Sequence, residues 1–151
     1  MSSFKGSEKY AIDSKGRVKI PARMLRSLSS EAEGTFVLNI GRDGCIYAYP
    51  KDEWEQIEKK LTAVNQFAEK GIFFLRRYLM DATELQLDGQ QRLTIPQKYL
   101  KPAGIENEVE ILGVLDHLEF WNPEKLREYI LSRDEKEFDE ISEEVMTRKL
   151  T

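Results

Sequence analysis

The chain has 151 residues, 33% of them charged, a net charge of −4 and a single cysteine. That length suits one domain with a real core, and no apolar run approaches the ~18 residues that a membrane span needs. Lone Cys45 excludes an internal disulfide and fits a reducing cytosol, while lone His117 leaves metal clusters and hydrolase triads little to build on.

The acidity is unevenly spread. Residues 1–30 carry Lys5, Lys9, Lys15, Arg17, Lys19, Arg23 and Arg26 against Glu8 and Asp13, a net +5. Residues 31–121 sum to −6 and residues 122–151 to −3. A basic end on an acidic chain points to contact with a polyanion, or to a solvated basic face. The N-terminus lacks the apolar stretch of a secretory signal, so a cytoplasmic protein is expected.

In chain order, Lys9–Ile12 and Arg17–Ile20 alternate polar with apolar residues, the pattern of half-buried strands. The intervening Asp13-Ser14-Lys15-Gly16 has turn chemistry, so the pair predicts a hairpin. Pro21 opens a short helix running to Leu28. Thr35–Ile40 and Cys45–Tyr49 form a second strand pair across Gly41-Arg42-Asp43-Gly44, with Cys45 packing as a small apolar group. From Lys51 to Val64, Trp54, Ile57, Leu61 and Val64 fall at helical spacing. Phe67, Phe74, Leu75, Tyr78 and Leu79 then predict a helix across residues 65–82, weakened by Gly71 and without a counterpart in the second half before its own ending. Strands follow at Glu84–Leu87, Arg92–Ile95, Glu108–Leu115 and Leu118–Trp121, with a helix from Pro96 and another at Glu124–Arg133. The acidic stretch 134–151 spaces Phe138, Ile141, Val145 and Met146 roughly as a helix does, so it is a loosely packed helix or a tail.

One pattern occurs twice. Asp13-Ser14-Lys15-Gly16-Arg17-Val18-Lys19-Ile20-Pro21 reappears 75 residues later as Asp88-Gly89-Gln90-Gln91-Arg92-Leu93-Thr94-Ile95-Pro96. Leu25 and Leu100 match in the helices that follow, as do Pro50 and Pro123 further on. Internal repetition fixes architecture before any other reading, and two copies argue for a duplicated compact domain with pseudo-two-fold symmetry. The expected organisation is a first half over 1–64, a bridging helix over 65–82, a second half over 83–133 and the acidic segment 134–151.

The doubled Asp-x-x-x-Arg with strand, Pro and helix behind it resembles the MraZ family of bacterial transcriptional regulators. Phe4-Lys5-Gly6, the Tyr49-Pro50…Trp54 stretch and Leu118-Glu119-Phe120-Trp121 extend the resemblance over nearly the whole chain. It implies an α+β fold: a duplicated swapped-hairpin, AbrB-like β-barrel with flanking helices. It also implies a sequence-specific binder of double-stranded DNA, nucleoid-associated, that forms ring-shaped homo-oligomers. Such a regulator, a repressor on this reading, acts on repeated operator boxes at the promoter of the division and cell-wall gene cluster. The second motif departs from the family pattern: Gln91 replaces the glycine before Arg, and Gly89 follows Asp88 instead. Its turn is therefore expected to differ in shape.

The DNA-binding candidates are Lys15, Arg17, Lys19, Arg23, Arg26 and Arg92, with Asp13, Gly16, Asp88 and Gly89 shaping the turns. Guanidinium forks match phosphate and guanine edges, and a two-stranded ribbon is slim enough for the major groove. Lys15, Arg17 and Lys19 share a strand face if the strand starts that early; Arg23 and Arg26 suit phosphates. Asp13–Arg17 pairing that merely braces the hairpin is the competing reading. His117 beside Asp116 and Glu119 reads as a surface loop. No phosphate-cradling glycine motif or zinc spacing occurs, so no enzyme activity, cofactor, metal or small-molecule substrate is expected. The alternative function is an assembly module whose basic end meets an acidic protein.

Overall fold

A computed structural model describes residues 2–147. The first half contributes β1 (Ser7–Ala11), β2 (Arg17–Lys19), α1 (Ala22–Arg26), β3 (Thr35–Ile40), β4 (Ile46–Pro50), α2 (Lys51–Leu61) and α3 (Glu69–Met80). The second contributes β5 (Thr83–Gln86), β6 (Arg92–Thr94), α4 (Gln97–Ala103), β7 (Glu108–Val114), β8 (His117–Trp121), α5 (Pro123–Leu131) and α6 (Glu135–Thr147). The protein is therefore α+β. The end of the acidic segment, residues 148–151, lies outside the described residues.

Six strands form an antiparallel sheet in the order β1-β7-β8-β4-β3-β5, and β2 and β6 form a separate two-stranded ribbon. The halves exchange partners: β1 pairs with β7, β5 with β3, β4 with β8 and β2 with β6. The predicted hairpin of the first two strands is thus not a ladder. Asp13 N–H donates to Arg17 C=O at 3.2 Å and Gly16 N–H to Asp13 C=O at 3.0 Å, closing the turn. Beyond it the strands part into different sheets. Period-two alternation specifies a buried face but not the partner that completes the ladder.

The apolar positions of the motif explain this geometry. Val18, Ile20, Leu93 and Ile95 are buried in one cluster with Phe36, Leu38, Ile111, Leu118 and Phe120 of the sheet and Met24, Tyr99 and Leu100 of α1 and α4. Each such large side chain contributes about 1.5–3 kcal/mol by leaving water. The ribbon is therefore clamped to the sheet by its inward residues, leaving its other face to solvent.

The sheet's opposite face carries the helical arms. Trp54 on α2 packs with Val37, Tyr49 and Tyr78, while Leu126 on α5 packs with Cys45 and Trp121. Asp52 and Glu53 open α2 and Lys59 and Lys60 end it, each complementing the helix dipole. Asn122 caps α5 by accepting the Glu124 and Lys125 N–H groups, with Pro123 at the first helical position. Gly71 does not break α3: a Cβ there would come within 2.0 Å of the Asn65 carbonyl oxygen, so close approach of the preceding turn requires glycine. In chain order α6 follows α5 as α3 follows α2. The helix after residue 65 thus has its positional match only at the end of the second half.

Candidate nucleic-acid interface

The two motif turns are built alike. Asp13 Oδ1 accepts the N–H groups of Lys15 at 3.0 Å and Arg17 at 2.9 Å, and its Oδ2 accepts Arg17 Nε at 2.6 Å. Asp88 repeats this with Gln90 at 2.8 Å, Arg92 N–H at 2.9 Å and Arg92 Nε at 2.9 Å. In both, the backbone N–H of the arginine is the leading influence that holds the carboxyl below its ordinary value; partial desolvation opposes it, and the arginine side chain and second N–H assist. Hydrogen bonds to the charged form favour that form.

The second turn keeps the shape of the first, against expectation. Gly16 sits at φ 83° and Gln91 at φ 61°. Gln91 accepts the left-handed conformation that glycine fills in the first copy, and the Asp88 bonds hold it there. Gly89 is not left-handed, and open space lies where its side chain would be. The rearranged glycine is not what makes this turn.

Pairing of β2 with β6 then unites the copies. Repeat-equivalent Val18 and Leu93 stand directly opposite each other, flanked by Arg17 opposite Thr94 and Lys19 opposite Arg92. Since Val18 and Leu93 point into the core, alternation sends Arg17, Lys19, Arg92 and Thr94 to the outer face. Ile20 N–H donates to Gln91 C=O at 3.1 Å and Ile95 N–H to Gly16 C=O at 2.8 Å, extending the same symmetry into the turns. Two arginines sit at diagonal corners of one patch, each held through Nε by its own aspartate. Arg17 and Arg92 side chains are 34% and 26% exposed, and among the described residues their terminal amino groups make no hydrogen bond.

The remaining candidates lie around this patch. Lys15 is exposed in the turn, not on the strand, since β2 begins at Arg17. Arg26 is exposed at the end of α1. Arg23 is committed elsewhere: it donates to the Lys5 and Ser7 carbonyls, both at 3.3 Å, and pairs with Glu8 at 3.4 Å. It braces the N-terminal segment on α1.

His117 is not on a surface loop. It is buried in β8, with Nδ1 2.8 Å from Asp116 Oδ1 and Nε2 3.0 Å from Glu119 Oε2. Glu119 Oε1 also accepts Trp121 Nε1 at 2.8 Å. Burial works against a charged imidazole, but the bonds to Glu119 and Asp116 prevail and raise its pKa above the ordinary 6.5. The signal was present in the alternation of His117, Glu119 and Trp121, which puts all three on one strand face. Cys45 is buried, and desolvation above all pushes its thiol up, away from nucleophilic use. Among the described residues no His, Cys, Asp and Glu cluster suits a metal, and no helix is long and apolar enough to cross a membrane.

The comparisons with known proteins cover the whole arrangement. The family described as "MraZ protein, putative antitoxin-like" matches residues 3–76 and again 78–149, one copy per half. The chain is 37% identical to a transcriptional regulator MraZ of Clostridium beijerinckii over 94% of its length and 96% of the relative's. It is 35% identical to that of Halothermothrix orenii, covering 92% and 94% of the two chains. A third, from Caldanaerobacter subterraneus, is 38% identical over 91% and 93%. With both halves matched in turn and relatives aligned nearly end to end, the chain belongs to the MraZ family.

Proposed function

We propose that this chain is a sequence-specific DNA-binding regulator of transcription, whose β2–β6 ribbon enters the major groove with its outer face toward the bases. The observation that carries this reading is the pair of aspartate-held arginines at diagonal corners of one outward patch. Each carboxylate fixes Nε and so aims the terminal amino groups before any ligand arrives, a saving in ordering on binding. A guanidinium so presented suits the O6/N7 edge of guanine, and Lys15, Lys19 and Arg26 suit flanking phosphates. The name shared by the relatives, transcriptional regulator, supports the same function.

In this reading the crossed strand pairing is that of an AbrB-like swapped-hairpin barrel, with one chain supplying both halves. The apolar side chains left exposed on α3 (Phe73, Phe74, Leu79, Met80) and α6 (Phe138, Val145, Met146) favour association of copies, in keeping with a ring-shaped homo-oligomer. α6 is acidic while α3 carries Lys70, Arg76 and Arg77, so the two faces are complementary for a head-to-tail contact. A ring presents several ribbons, and linked weak contacts gain through effective concentration when operator boxes match their spacing. The regulator acts as a repressor on the division and cell-wall gene cluster, including its own promoter, and is cytoplasmic and nucleoid-associated. It is not an enzyme and takes no cofactor.

Titration of the full-length protein against duplex DNA from upstream of its own gene, across a range of salt, is the test. Binding that falls steeply with salt is expected, because counterions leave the duplex as phosphates are neutralised. Absence of binding, with association to an acidic protein partner instead, would favour the assembly-module alternative.

A further inference from the structure

We propose that Lys19 and Thr94 set the direction in which the β2–β6 ribbon reads a DNA box, so that one ribbon takes a non-palindromic sequence in a single orientation. This direction rests on the ribbon being the DNA-contacting element, as proposed above, and adds to it what decides specificity there.

The backbone supplies no direction. Val18 and Leu93 stand opposite each other at the centre of the ladder, and a pseudo-two-fold axis through that row exchanges one copy of the motif for the other. The bonds obey it. Ile20 N–H to Gln91 C=O at 3.1 Å matches Ile95 N–H to Gly16 C=O at 2.8 Å, and Arg17 Nε to Asp13 at 2.6 Å matches Arg92 Nε to Asp88 at 2.9 Å. Arg17 and Arg92 are therefore placed alike. A ribbon with exact two-fold symmetry would meet a duplex equally well either way round, and its preferred site would be a palindrome.

The rows on either side of the axis break that symmetry. Arg17 faces Thr94 and Arg92 faces Lys19, at the Cβ separation of about 4.5–5.5 Å usual for directly opposed residues. Lys19 and Thr94 are the repeat-equivalent pair, and both are exposed on the outer face. One row thus holds two cations, the other a cation and a hydroxyl. Opposed like charges repel, and Asp88, bound to Arg92, offsets only one of the two. The Arg92–Lys19 row can only donate, so it calls for acceptors such as guanine N7 and O6. The Arg17–Thr94 row also accepts, through the hydroxyl, and carries a methyl that suits the thymine methyl. Lys19 in this position reaches the base edge under Arg92 as well as a phosphate. Lys15 and Gln90 differ too, but both lie in the turns before β2 and β6 begin, where contacts to phosphate position the ribbon without specifying sequence.

The test is selection from a duplex library randomised over one box, using the full-length protein and variants at these exposed positions. Wild type should enrich a box that differs from its own reverse complement. Lys19→Thr sets Arg against Thr in both rows, and should enrich a central palindrome built from one half of the wild-type box. Thr94→Lys sets Arg against Lys in both, and should enrich a palindrome built from the other half. In anisotropy titrations wild type should favour its own box over either palindrome by about fivefold or more, and each variant should reverse that order. Lys15→Gln should weaken binding to all of these duplexes together and leave the selected box unchanged. A palindromic wild-type box, variants that both keep the wild-type box, or loss of asymmetry in Lys15→Gln would overturn the assignment of direction and leave the ribbon's contact with DNA standing. Enrichment of no duplex by wild type, even at low salt, would overturn both.

Discussion

Replacing Arg17 by alanine separates the reading of this ribbon as a DNA probe from its reading as a brace. Asp13 keeps two acceptor bonds without the guanidinium, because the N–H groups of Lys15 and Arg17 are backbone donors that alanine also supplies. The pair is about one third exposed on each side, where ion pairs add little to stability. Melting temperature and oligomer size should therefore stay near those of the wild type. Operator binding should weaken by about 1–3 kcal/mol per engaged ribbon, roughly 5- to 150-fold. Arg92→Ala should lose less, because Lys15 in the turn and Lys19 on the strand flank Arg17, whereas Gln90 and Thr94 occupy those places beside Arg92. It should still lose something, since Lys19 faces Arg92 across the ribbon. Fluorescence anisotropy with the upstream duplex at several salt concentrations, alongside thermal melts and sedimentation of both variants, gives the comparison. Both variants folded, assembled and binding within twofold of wild type would refute the assignment of the arginines. A larger loss for Arg92→Ala would reverse the order of the two halves.

Three further outcomes are expected. Gln91→Gly should stabilise the fold by up to about 1 kcal/mol by relieving a left-handed residue, whereas Gly16→Ala should destabilise it by more than about 1 kcal/mol, since its Cβ would come within 2.5 Å of the Ile95 carbonyl oxygen; urea unfolding of both checks the contrast. Phe73→Glu with Met80→Glu, both at exposed α3 positions, should shift sedimentation to smaller species without lowering secondary structure by circular dichroism. Asp13 has a lowered pKa, so the stability that wild type holds over Asp13→Asn should be present above the free value of 3.8 and shrink as pH falls through the folded value; equal loss in both proteins on acid titration would count against the carboxylate's role.

Much of this molecule can be read from its residues alone. The doubled Asp-x-x-x-Arg framework puts one pattern twice in register along the chain, and the family match falls on each half in turn. Alternation and helical spacing placed the strands and helices to within a few residues. Partner choice was another matter. Nothing in Arg17–Lys19 says that it pairs with Arg92–Thr94, since side-chain alternation specifies which face is buried and leaves the ladder open. Only the folded chain decides that Lys19 stands opposite Arg92, which turns two separate motifs into one patch. The shape of the second turn was equally hidden, because the bonds from Asp88 override the local preference of Gln91 for a negative φ. The burial of His117 is hidden for the same reason: its neighbours in sequence are two carboxylates that suggest solvent, while Tyr47 and Tyr49, which pack on it, arrive from a strand about seventy residues earlier. Local residue chemistry determined the elements and their repeat; long-range pairing and burial, which depend on where the other half of the chain lies, decided the site.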